Sequence, residues 1–138
     1  MSLYKLPSFS VTGLVISTSP GSINASASLA GSLPTGVTRN LHLFVGKSPS
    51  VSPDPASYLY QQTASISSTY TSGSVSLTTI TTASLSALGI GITSGQTVYI
   101  VAYAEGYSSN SYVDLATGRN YYSNLNPTPS NIVTVVVP

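Results

Sequence analysis

The chain is poor in side chains that carry chemistry. It holds one histidine, His42, and three carboxylates, Asp54, Glu105 and Asp114, in 138 residues. General acid–base catalysis needs titratable groups within hydrogen-bond reach of each other and of a substrate. A zinc site needs several His, Cys or carboxylate ligands; here there is no second imidazole and no cysteine. His42, between Leu41 and Leu43, falls on the outward parity of an alternating run and reads as a surface residue. The 27 serines and 16 threonines would satisfy any Ser/His/Asp arithmetic by number alone, and no Gly-x-Ser-x-Gly elbow stands among them. Gly89-Ile90-Gly91 lacks the lysine of a phosphate loop. Asp114 with Asn110 and Asn120 offers oxygens to a hard cation such as calcium, but a single carboxylate makes a weak site. The expectation is a non-enzymatic protein with no catalytic residues, no resident metal and no cofactor.

Composition narrows the partners. Charged residues are 5% of the chain, against about a quarter in ordinary globular domains. Lys5, Arg39, Lys47 and Arg119 leave a formal net charge of +1, too little to neutralise nucleic-acid phosphates or hold an anionic membrane surface. At 41% hydrophobic the chain is apolar enough to fold. The runs Val98 to Ala104 and Val133 to Val137 are far shorter than a membrane span. Met1 to Ser19 carries one lysine and an apolar stretch broken by Ser, Thr and Gly, which does not read as a signal peptide.

The elements that must position these residues are strands. Ile23, Ala25, Ala27 and Leu29 alternate with Asn24, Ser26 and Ser28. Leu41, Leu43 and Val45 alternate with Asn40, His42 and Phe44, and Val75 and Leu77 alternate with Ser74, Ser76 and Thr78. A period of two marks strands with one buried face, and Thr, Val, Ile and Tyr fit a pleated surface. Turn chemistry at Ser19-Pro20-Gly21, Leu33-Pro34-Thr35-Gly36, Ser94-Gly95 and Asn126-Pro127-Thr128-Pro129 separates the runs. The pattern predicts strands over 8–17, 22–30, 38–46, 57–63, 74–81, 97–105 and 131–137 in one all-β domain, 1–138, built as a two-sheet antiparallel sandwich. Two segments do not fit it. Residues 47–56 contain three prolines and cannot lie in a central strand. Residues 106–130 form a long Tyr/Asn/Ser-rich connection before the last strand, a length that is usually functional when ordered.

The run Ile92-Thr93-Ser94-Gly95-Gln96-Thr97-Val98-Tyr99-Ile100-Val101-Ala102-Tyr103-Ala104 resembles the E–F corner and F strand of bacterial fibronectin type III-like modules. Those modules commonly read Leu-Thr-Pro-Gly-Gln-Thr-Tyr-Tyr-Val-Arg-Ala-Tyr-Ala. Ser130-Asn131-Ile132-Val133-Thr134-Val135 is similar to their last strand, with Tyr122-Ser123-Asn124 a rival match. The resemblance implies an immunoglobulin or fibronectin III-like sandwich of about seven strands. It departs from the family at the corner tyrosine, which aligns with Val98.

If Val98, Ile100, Ala102 and Ala104 face the core, then Tyr99, Val101 and Tyr103 face outward, and a strand apolar on both faces is covered on both. The cover is either the chain's own 106–130 segment, a neighbouring chain, or a ligand. Five of the ten tyrosines lie between residues 103 and 122, among Ser and Asn, a mixture that offers broad contact area at low entropic cost. The candidate contact residues are Phe44, Tyr99, Val101, Tyr103, Tyr107, Tyr112, Tyr121 and Tyr122. Two functions fit. The first is a structural subunit of a phage virion (capsid decoration or tail accessory protein), a role in which the resembled modules recur. It would bind copies of itself or a capsid or tail protein, and be made in the host cytoplasm. The second is an extracellular or cell-surface adhesion module that binds carbohydrate or another protein through residues 106–122. The absence of tryptophan, the best stacking residue for sugars, favours the first.

Overall fold

A computed structural model describes residues 9–31, 39–66, 70, 73–105, 111–122 and 125–138. The described chain is all-β, with antiparallel strands throughout. One sheet orders β1 (Phe9–Ser19), β2 (Ser22–Gly31) and β5 (Val75–Thr81) as β1-β2-β5. The other orders β3 (Arg39–Gly46), β4 (Tyr60–Ile66), β6 (Thr97–Glu105) and β9 (Val133–Val136) as β4-β3-β6-β9. The two sheets pack face to face as a sandwich. A short helix, α1 (Thr82–Ala87), and a small hairpin of β7 (Ser111–Val113) and β8 (Asn120–Tyr122) complete the described elements. The helix is not long and apolar enough to cross a membrane.

The period-two pattern places the core. Val98, Ile100, Ala102 and Ala104 on β6 are all fully buried, opposite Leu41, Leu43 and Val45 on β3. They meet Val11, Ile23, Ala25 and Ala27 from the facing sheet in one cluster. Each fully buried Leu, Ile or Val there contributes about 1.5–3 kcal/mol of hydrophobic stabilisation.

The corner before β6 holds without a tyrosine at position 98. Val98 is buried, and backbone bonds close the turn: Gly95 N–H donates to Val137 O at 2.8 Å, and Val137 N–H to Gln96 O at 2.9 Å. Asn131 stitches the sandwich edge, its carboxamide accepting from Leu14 N–H at 2.8 Å and donating to Leu14 O at 3.0 Å. That bond sits where Gly13, at φ +58°, opens a bulge in β1. Ser130-Asn131 is therefore the pair that leads into the last strand, whereas Ser123 and Asn124 lie outside the described residues.

Three expectations need correction. The strand expected over 57–63 runs over Tyr60–Ile66, because the proline turn reaches as far as Ser57, whose N–H donates to Asp54 O. The helix was not expected; Thr81 caps it by accepting from Ser84 N–H, and Leu85 anchors it in the core. The 106–130 connection contains a hairpin, and its later part runs beside β6: Asn126 and Ser130 donate backbone N–H to Ala104 O and Ala102 O at 2.8 and 2.9 Å.

Candidate functional site

The outer face of the four-stranded sheet is where both irregular segments meet. Phe44 on β3 and Val101 on β6 point away from the main core, yet are 0% and 1% exposed. Val51 and Tyr58 from the proline-rich segment cover them, with Tyr122 and Leu125 from the long connection. Tyr58, Tyr103 and Tyr122 set their rings edge-on around Phe44 at 4.9, 5.9 and 5.8 Å, the geometry that aromatic quadrupoles favour. The cover on the outward tyrosines is thus the chain itself. Phe44 and Val101, expected as contact residues, are removed from the surface by it. Tyr99, Tyr103 and Tyr122 are half-buried in the same cluster, and Tyr107 lies outside the described residues.

The same cover corrects the reading of His42. It is 2% exposed, and Glu105 beside it is 3% exposed. Gln61 Nε2 donates to His42 Nδ1 at 2.6 Å, which leaves the ring hydrogen on Nε2. That atom stands 2.8 Å from a Glu105 carboxylate oxygen, off the line of a directed hydrogen bond. The ring of Tyr122 lies over His42 at 4.4 Å. His42 did face outward, as its parity predicted; what sequence could not show was the lid of residues 47–58, 111–122 and 125. The pair lies under packed side chains. Among the described residues no group of three His, Cys or acidic side chains is arranged to hold a metal. Asn110 of the expected cation loop lies outside them. Asp114 instead accepts from Thr117 N–H and Oγ1 at 3.1 and 2.7 Å, shaping the hairpin turn.

What the hairpin leaves exposed is the candidate site. Tyr112 and Tyr121 face each other across β7–β8, rings stacked at 5.1 Å, and are 60% and 39% exposed. Strands of three residues do not hold a hairpin by themselves. This one is fixed to the proline turn: Tyr58 Oη donates to Asn120 O, Arg119 Nη1 donates to Pro55 O at 2.8 Å, and Tyr122 Oη donates to Gln61 Oε1 at 2.9 Å. Burial pushes Tyr58 up to about 12, with the neighbouring Tyr122 adding to the shift and Arg119 opposing it. Burial also raises Tyr60 and Tyr103. These phenols are neutral at physiological pH.

Two open concavities flank the hairpin. One, of about 420 Å³, is walled by Tyr103, Tyr121, Tyr122, Pro53, Asp54 and Asn126. The other, of about 410 Å³, lies against Tyr58, Tyr60, Arg119, Asn120, Leu88 and Ile90. Sequence reasoning had the tyrosines of the first but missed Asp54, Asn126 and Arg119. The only available signal was that both irregular segments needed something to do.

No protein-family model and no curated protein matches the chain. Among solved structures it is similar to a provisionally named carbohydrate-binding protein from Bacteroides uniformis, with a TM-score of 0.53 and 16% identity. The match covers 96% of this chain and 58% of that one, so the chain spans little more than half the length of that protein. At this identity the likeness is one of fold, the β-sandwich described above.

Proposed function

We propose that this chain is a non-catalytic carbohydrate-binding module that holds a glycan against the outer face of the β7–β8 hairpin. The observation that carries this reading is the exposed Tyr121, stacked with Tyr112, which walls the concavity beside Asp54. A tyrosine face is electron-rich at its centre and attracts the positive C–H edge of a pyranose ring. The carboxylate of Asp54 and the tyrosine hydroxyls supply the few polar groups that fix orientation in a mostly preformed site. Asp54 is already set by its own turn, accepting from Ala56 N–H at 2.9 Å. The name of the Bacteroides neighbour points the same way. The virion reading drawn from composition has no counterpart among the comparisons, and the face it assigned to a neighbouring chain is filled by this chain's own residues.

A glycan array followed by calorimetric titration of the best neutral oligosaccharide tests the proposal. Tyr121→Ala should weaken binding about tenfold, the loss of one aromatic contact plus its buried area, without changing the unfolding midpoint. An array with no neutral glycan bound at millimolar strength overturns the reading, as does a Tyr121→Ala protein that binds like the parent.

A further inference from the structure

The hairpin divides two concavities of opposite charge, and we propose that the one on the Arg119 side is an acid-selective subsite that takes the carboxylate of a uronic-acid residue. The inference rests on the glycan reading above and extends it from neutral to acidic polysaccharide. The first concavity has Asp54 as its charged residue, the second Arg119. Arg119 is half-buried, and one of its N–H groups is tied to Pro55 O, which fixes the plane of the guanidinium. Among the described residues no carboxylate stands within 4.0 Å of it. The nearby Asp114 is turned to Thr117.

A second cation stands beside the residue that follows this concavity's Ile90. The ammonium of Lys47 lies over Gly91, so close that a Cβ on that glycine would meet it at 2.7 Å. Gly91 follows Ile90, which with Leu88 and Tyr60 gives the concavity its apolar wall. A planar, pre-oriented guanidinium matches a carboxylate through paired N–H donors, and the apolar wall suits the C–H face of the ring that carries it. A uronic-acid residue has both parts. Arg119 precedes β8 and lies two residues from Tyr121, about 7 Å along an extended strand, a span that adjacent sugars of one chain match.

The test is calorimetric titration of trigalacturonate and of its neutral counterpart galactotriose, at low salt, into the parent protein, Arg119→Gln, Arg119→Lys and Tyr121→Ala. The parent should prefer trigalacturonate by about tenfold, as a charge-assisted pair of hydrogen bonds gives. Arg119→Gln, which also removes the bond to Pro55 O, should abolish the preference whatever it costs galactotriose, because the preference is the ratio of the two affinities. Arg119→Lys should keep part of it, which guards against a mere loosening of the hairpin. Tyr121→Ala should weaken both ligands alike. Equal affinity of the parent for the two ligands, or a preference that survives Arg119→Gln, overturns the acid-selective subsite and leaves the glycan reading standing. Failure of the parent to bind either ligand or any glycan of the array overturns both.

Discussion

Tyr58 joins the stability of the outer cluster to the position of the hairpin, since its ring packs on Phe44 and its hydroxyl donates to Asn120 O. Both depend on a neutral phenol. An unfolded tyrosine ionises near pH 10, and Tyr58 in the folded chain ionises at about 12. Between those values the folded protein keeps a proton that the unfolded chain has released, so raising the pH draws the equilibrium toward unfolding. Urea midpoints should therefore be flat up to about pH 10 and fall from there toward 12. Tyr58→Phe has no such proton, so the fall should be shallower, with the remainder left by Tyr60 and Tyr103. An unchanged alkaline slope in Tyr58→Phe would contradict this. At this scale the sequence was legible in direction and silent on burial. The alternation in 38–46 correctly sent His42 and Phe44 to the outer face, but the groups that cover them come from residues 51, 58, 122 and 125, and no local pattern links those positions. Asp54 and Arg119 were counted as charges, but their relation to the tyrosines arises only when the two segments meet.

The β7–β8 hairpin is an element held by others. Its two strands are three residues each, and its anchors come from Tyr58, Pro55 and Gln61. Removing one anchor should loosen it without disturbing the sandwich. In Tyr58→Phe, amide hydrogens within 111–122 should exchange about five- to tenfold faster, as the loss of a net hydrogen bond of about 1 kcal/mol implies, while those of β3 and β6 keep their protection. Exchange measured by NMR checks this; faster exchange spread evenly over the sheets would show that the hairpin has no separate anchorage. The long strands were readable in sequence because alternate residues such as Leu41, Leu43 and Val45 are apolar and turn to the central core. The hairpin was not, because Ser111–Val113 leaves all three side chains exposed and so carries no alternation. Helix α1 was hidden for a related reason: in Thr82–Ala87 only Leu85 is buried, and one buried residue makes no period.

Taken as a whole, the molecule is three layers deep. The four-stranded sheet has a core on each face, Val45 and Ile100 on one and Phe44 and Val101 on the other. Adjacent residues of the same strands serve different cores, so neither core can lose its sheet without exposing the other. A thin two-layer sandwich with a loose loop would melt its covering first; a shared sheet forbids that for global unfolding. The chain has no tryptophan, so its fluorescence comes from tyrosine, and Tyr58, Tyr99, Tyr103 and Tyr122 report on the outer cluster. Far-ultraviolet circular dichroism reports on the strands. The two signals should follow one urea transition with the same midpoint, as coincident probes do for a two-state domain. Phe44→Ala should lower that common midpoint, by a loss of about 3–5 kcal/mol, without splitting it. A tyrosine transition that precedes the dichroism would mean that residues 47–58, 111–122 and 125 form a detachable lid. Both concavities would then be transient, since each is walled by those segments and the sheet together. A binding surface assembled from two connections and a sheet stays preformed only if all three unfold as one.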